Sequence, residues 1–216
     1  LLVVRLQRQP MRPTPPSVRT IHVLAFVTRE SCVLLHCWQR WMANHLTAPS
    51  RTLEYELHVQ SYTAPSTVTT HRERWRDVLQ ARLSFVYGKL NSLPLDSLIC
   101  FTDLDVVPFR PLNVLLPLQH DMTFMREPPG HGGKTGRQIV NGGFYMVRAT
   151  RMTRRFFGYC RWLAKQYPKL QDQDIMNWVL LAKPDSKMYM NVSWGVWPRH
   201  IASGLLEDVS NETVAF

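Results

Sequence analysis

The chain has 216 residues, of which 45% are hydrophobic and 19% charged, and its formal net charge is +10. That length suits one full domain with a sizeable core, and the apolar content excludes wholesale disorder. The positive balance points to an anionic partner (a nucleotide, a phosphorylated substrate, a nucleic acid or a membrane surface) without choosing among them.

Residues 1–17 carry Arg5, Arg8, Arg12 and four prolines, show no sustained period, and read as an extended basic arm. The boundary falls between a 1–20 arm and a single domain over 21–216. Residues 21–27 are an apolar, strand-like run. Val33, Leu34, Cys37, Trp38, Trp41 and Met42 then repeat at helical spacing. Residues 53–59 read as a second strand, with Glu54, Glu56 and His58 alternating with Leu53, Tyr55 and Leu57. After a Ser/Thr-rich turn over 61–70, Trp75, Val78, Leu79, Leu83, Val86 and Leu90 mark one face of a long helix. Residues 98–102 are a third strand, and strand, helix, strand, helix, strand is a Rossmann-like half. Residues 122–125 and 143–147 read as further strands around a Gly/Pro-rich loop over 126–137, and 150–166 and 172–181 as helices.

No apolar run reaches membrane-spanning length, and residues 1–4 are too short for a signal core, so any anchor or leader would precede this chain. Cys32, Cys37, Cys100 and Cys160 form no CxxC pair and three lie in apolar periodic runs, which predicts buried free thiols, with one disulfide as the alternative. The sequons at Asn191 and Asn211 favour secretion only through a pattern short enough to recur by chance.

The third strand ends in Asp103-Leu104-Asp105. Alternation sends Asp103 and Asp105 to one side while Leu104 turns back into the core. Like charges that close call for a compensating cation, and a hard divalent ion takes such oxygen ligands. Further on, Gly142 and Gly143 open a strand and permit close approach of a ligand or another backbone; a plain bulge is the alternative. Asp172 starts a helix, where capping alone would account for it.

In this order the segments FTDLDVVPFRPL, NGGFYMVR and DQDIMNWVL resemble the motifs of metal-dependent GT-A glycosyltransferases, most of all the nucleotide-diphospho-sugar transferase family, over roughly residues 21–181. The resemblance implies an α/β fold of GT-A type, a mixed central sheet flanked by helices, with 21–216 as the catalytic domain. It implies Asp103 and Asp105 as ligands of Mn2+ or Mg2+, with Asp103 also facing the donor ribose. Val27, Thr28 and Arg29 fall where such enzymes hold the nucleoside, and Lys89 where a basic residue neutralises phosphate. A solvated helix-end lysine is the plain reading of Lys89. Asn141, Gly142 and Gly143 would line the sugar and acceptor side, and Asp172 and Gln173 would act on the transferring sugar. The implied donor is a nucleotide sugar, UDP-linked, and the acceptor a glycan, glycoprotein or glycolipid in the secretory pathway or Golgi lumen. Membrane association would come through a segment outside this chain, and nucleic acid is not an implied partner. Such enzymes commonly add a metal-binding histidine late in the domain; no His follows His200 here, so that ligand is either absent or lies beyond the end of this sequence. The loop over 128–137, with Gly130, Gly132, Gly133 and Gly136, is expected to close on the donor and bring Lys134 or Arg137 to the phosphates; a disordered surface insert is the alternative.

Two readings of other classes stay open. An apolar strand with D-x-D also matches haloacid-dehalogenase-type phosphatases, whose first Asp is a nucleophile, although two strands precede the motif here and no downstream acidic pair follows it. A non-catalytic polyanion-binding module would use Arg151, Arg154, Arg155 and Arg161, which share a helix with Phe156, Phe157, Tyr159 and Trp162; aromatics at helical spacing usually face a core instead. Gly132-Gly133-Lys134-Thr135 is no P-loop, because Pro128 stands where the earlier glycine is required.

Overall fold

The computed structural model describes residues 2–4, 19–28, 31–46, 53–63, 65, 70–106, 112–116, 118–128, 139–187 and 189–198. Its elements are β1 (Leu2–Val4), β2 (Arg19–Thr28), α1 (Cys32–Leu46), β3 (Leu53–Tyr62), α2 (His71–Ser92) and β4 (Leu98–Thr102). A 3-10 turn (Leu112–Leu115), β5 (Met122–Arg126), β6 (Val140–Arg148), α3 (Arg151–Gln166), α4 (Asp172–Leu180) and β7 (Trp194–Val196) follow. The strands make one sheet in the order β1-β3-β2-β4-β6-β5-β7. β3, β2 and β4 are parallel, which requires the crossovers that α1 and α2 supply. β6 is antiparallel to both β4 and β5, and β7 runs parallel to β5, so the sheet is mixed as expected.

A sheet covered on both faces needs strands that are apolar on both. In β2, Ile21, Val23, Ala25 and Val27 turn toward Trp38 and Met42 of α1. Leu24 and Phe26 turn to the opposite face, where α2, α3 and α4 pack. β4 is buried at every position. The sheet therefore divides two cores. α2 begins on a reciprocal cap, Thr70 Oγ1 accepting from Glu73 N and Glu73 Oε2 from Thr70 N, both at 3.2 Å. Pro94 follows its last turn and keeps Leu93 out of the helical region.

The structure departs from the sequence reading in five places. Part of the expected arm is a strand, since Leu2–Val4 pairs antiparallel with β3 and β2 already begins at Arg19. β7 was not foreseen, because three residues are too few to show a period. Among the described side chains of α1, Trp38 and Met42 are buried in the core and Leu35 packs against it; Val33 and Leu34 are 74% and 45% exposed, and Cys37 is exposed with Cys32. All four cysteines are free, but only Cys100 and Cys160 are buried. Trp75 is exposed because the first turn of α2 lies clear of the core, whose first α2 member is Val78. Among the described residues no helix is long and apolar enough to cross a membrane. Residues 5–18 of the arm, Arg29, the glycine-rich segment 129–138 with Lys134 and Arg137, and His200 lie outside the described residues.

Candidate active site

Parallel β2 and β4 end at one edge of the sheet, the edge at which open α/β sheets place ligands. Antiparallel β6 starts at that same edge: Thr102 lies opposite Phe144, and Asp103 N donates to Gly143 O at 2.7 Å. The two acidic residues sit just past β4, in a tight turn closed by Val106 N donating to Asp103 O at 3.3 Å. Leu104 and Val106 are buried while Asp105 is exposed, so the expected alternation persists beyond the strand end.

Arg82 of α2 ties this turn to the start of α4, and the sequence reading passed over it. Its Nη1 donates to both carboxylate oxygens of Asp103, at 2.8 and 2.9 Å. Its Nε and Nη2 donate to Asp172 Oδ2 at 2.9 and 2.6 Å, and Nη2 also reaches Gly142 O at 3.3 Å. The guanidinium lies over the Phe101 ring, 5.3 Å from its centroid, and Phe101 stacks on Tyr145. Burial opposes the Arg82 charge, yet Asp103 and Asp172 outweigh it and raise its pKa above the ordinary arginine value. The clue was available: Arg82 falls on the stripe of Val78, Leu79, Leu83 and Val86, and a charge in an apolar stripe implies buried partners.

The two glycines are places of close approach. A Cβ on Gly143 would lie 2.9 Å from Asp103 Oδ2, and one on Gly142 would lie 3.3 Å from both Gln173 Cβ and Met176 Cε. Gly142 N donates to Gln173 Oε1 at 2.7 Å, Gly143 N to Asn141 Oδ1 at 2.7 Å, and Asn141 Nδ2 to Glu127 Oε2 at 2.8 Å. At α4 the cap position belongs to Gln171, not Asp172. Asp172 Oδ1 accepts from Gln173 N at 2.8 Å, and its buried charge suits the positive end of the helix. One turn on, Asn177 Oδ1 accepts from Ile139 N and Val140 N at 2.7 and 3.0 Å, while Nδ2 donates to Val140 O at 2.9 Å and Gln173 O at 3.0 Å. That amide clamps α4 to β6.

Val27 and Thr28 end β2 at the same edge of the sheet, where Thr28 N donates to Ser31 Oγ at 2.9 Å. Lys89 is not with them. α2 connects the carboxyl end of β3 to the amino end of β4, so its last turn lies at the far edge, with Lys89 Nζ 3.1 Å from His58 Nδ1.

The donor set suits a hard divalent cation. Asp103 and Asp172 pair with the guanidinium of Arg82, and Asp105 adds its negative charge beside Asp103. Burial, offset by Arg82 and reinforced by Asp105 and Asp172, pushes the Asp103 carboxyl up to about 6. A carboxylate has about four lone-pair sites, and Asp103 keeps 28% side-chain exposure beside the exposed Asp105. Among the described residues no cluster of three ligating side chains includes either one.

A sequence model of nucleotide-diphospho-sugar transferases matches residues 90–215, more than half the chain, including β4, β6 and α4. The chain belongs to that family. Its members are glycosyltransferases, and the match takes in Asp103, the glycine pair and Asp172. No curated protein matches the chain. Among solved structures, the glycosyltransferase GlyE of Streptococcus pneumoniae TIGR4 superposes with a TM-score of 0.54 at 12% identity, over 85% of this chain and 46% of that one. A glycosyltransferase involved in glycosylation of the major capsid of PBCV-1 gives 0.57 at 10% identity, over 91% and 92%. The galactosyltransferase LgtC, solved with donor and acceptor sugar analogs, gives 0.51 at 13% identity, over 83% and 74%. These likenesses establish the shared GT-A fold. The chain spans less than half the length of the GlyE chain.

Proposed function

We propose that the protein transfers a sugar from a nucleotide diphosphate donor, a UDP-sugar, to the glycan of an acceptor, with Mn2+ or Mg2+ as cofactor. The observation that carries this reading is the meeting on Arg82 of Asp103 from the β4 turn, Gly142 from β6 and Asp172 from α4. Asp103 and Asp105 would hold the ion, which supplies charge neutralisation for the departing nucleoside diphosphate. Arg82 fixes the directions of the Asp103 and Asp172 carboxylates. Val27, Thr28 and Arg29 are proposed to hold the nucleoside, and Asn141, Gly142 and Gly143 the sugar and acceptor. The close approach at Gly143 lets Asp103 lie against β6, and the bond from Gly142 N sets the direction of the Gln173 amide beside the carboxylate of Asp172.

The test is thermal melting with a panel of nucleotide sugars, with and without Mn2+, followed by donor hydrolysis and transfer assays. A UDP-sugar is expected to raise the melting temperature only with metal present, since a ligand of the folded state alone shifts stability by mass action. Asp105→Asn is expected to abolish that response in a folded protein. Wild-type metal-dependent turnover in the variant would overturn the assignment.

A further inference from the structure

We infer that the protein has a second metal site, for a first-row transition ion of the Zn2+ class, built from His22 of β2 with Glu56 and His58 of β3. It is separate from the Asp103 edge. His22 pairs in register with Ile99, four residues before Asp103, which is roughly 13 Å along a strand.

β2 and β3 are parallel, with His22 opposite Glu56, and His58 two residues further along β3 faces the same way. The result is three ligand types converging on one point: His22 Nδ1 is 3.1 Å from His58 Nε2 and 3.4 Å from Glu56 Oε2, and His58 Nε2 is 3.8 Å from Glu56 Oε1. An ion bound tetrahedrally at 2.0–2.1 Å sets its ligand atoms about 3.3 Å apart; the two ring nitrogens already stand close to that spacing, and with one Glu56 oxygen all three ligand atoms lie within 4.8 Å of one another, so a small turn of the carboxylate completes one face of such a tetrahedron. No other cluster of three ligating side chains is present among the described residues. Two imidazoles and a carboxylate suit Zn2+ over the oxygen-seeking Mg2+. Burial, with Lys89 adding to it and Glu56 opposing it, lowers the pKa of both rings. The Glu56 side chain, 25% exposed, opens the remaining position to water.

Lys89 belongs to the metal-free state. Its ammonium donates to His58 Nδ1, so the His58 proton resides on Nε2 and is shared with His22 Nδ1. Metal entry moves that proton from Nε2 to Nδ1. His58 stays neutral, its Nε2 lone pair binds the ion, and Lys89 keeps its own protons and swings out to solvent.

The experiment titrates the full chain with ZnCl2 alone, in a buffer with excess Mg2+ to occupy hard oxygen sites, by calorimetry and bound-metal analysis. One Zn2+ per chain is expected, lost or weakened at least 100-fold in His22→Ala and in Glu56→Gln. The second variant, at a partly exposed residue, keeps the test decisive should the first not fold, with circular dichroism confirming its structure. Asp105→Asn and the Cys32→Ser/Cys37→Ser double variant should bind as the wild type does, and Co2+ should give a four-coordinate ligand-field spectrum without thiolate charge transfer. Lys89→Met should bind about tenfold more tightly, the scale on which groups behind a ligand tune affinity. Absence of stoichiometric Zn2+ binding, unchanged binding in folded Glu56→Gln, or loss of binding in Lys89→Met would overturn the site. No outcome depends on sugar transfer, so the result is independent of the proposed activity.

Discussion

A guanidinium presents its donors in one plane, and at Arg82 that plane is divided between two carboxylates on different elements. Lysine could satisfy one of them but not both. Removing the planar donor leaves Asp172 buried without its partner, and breaking a buried ion pair from one side costs about 3–5 kcal/mol. Asp103, partly exposed, adds less. Arg82→Ala is therefore expected to lose about 3 kcal/mol in urea denaturation; a loss below about 1 kcal/mol would mean the network is not formed in solution. Gly143 allows a different kind of test. A methyl there must displace Asp103 Oδ2, against which it would sit at 2.9 Å, while a methyl on Gly88 of α2 would meet nothing within 4 Å. Gly143→Ala should thus impair metal-dependent donor binding in melting assays. Gly88→Ala should leave donor binding alone and raise stability by about 0.5–1 kcal/mol through helix propensity.

At the level of elements, α4 carries the Asn177 clamp and, near its start, Asp172, a residue proposed to act on the sugar. Asn177 serves backbone groups of residues 139 and 140 on the approach to and start of β6, so Asn177→Ala should destabilise by about 2–3 kcal/mol by leaving buried amides unpaired. Asp172→Asn preserves an acceptor for Gln173 N and removes the charge facing Arg82. Turnover measured beside thermal stability decides its role: slower transfer in a stable variant supports a contribution to catalysis, and normal rates confine Asp172 to structure. Much of this element was readable from Gln171 to Asn177, because polar residues at a helix start after Pro168 and apolar residues at helical spacing both mark it. What could not be read was the partner. Arg82 lies 90 residues before Asp172 in the chain, and no local period encodes a contact at that distance. The same limit explains α1, where spacing marked Val33, Leu34 and Cys37 as an apolar face but only the sheet decides that Trp38 and Met42 fill it. β1 and β7 owe their conformation to pairing with β3 and β5 and carry too few residues to announce themselves.

For the molecule as a whole, strand order makes the site a product of distant segments: β4, β6, α2 and α4 each deliver one part to a common edge. The division of the interior by the sheet has a further bearing, on how this chain can change over generations. Met42 lies in the interior beneath α1 and Leu163 in the one beneath α2, α3 and α4, with a layer of backbone between them. Substitutions at two such sites share no neighbour, so Met42→Ala and Leu163→Val should sum in a double-mutant cycle to within about 0.5 kcal/mol. A larger coupling would show that strain crosses the sheet. If the sum holds, mutation can accumulate beneath α1 without Arg82 and its carboxylates having to adjust, and ancestry would erode at different speeds on the two sides of one small protein.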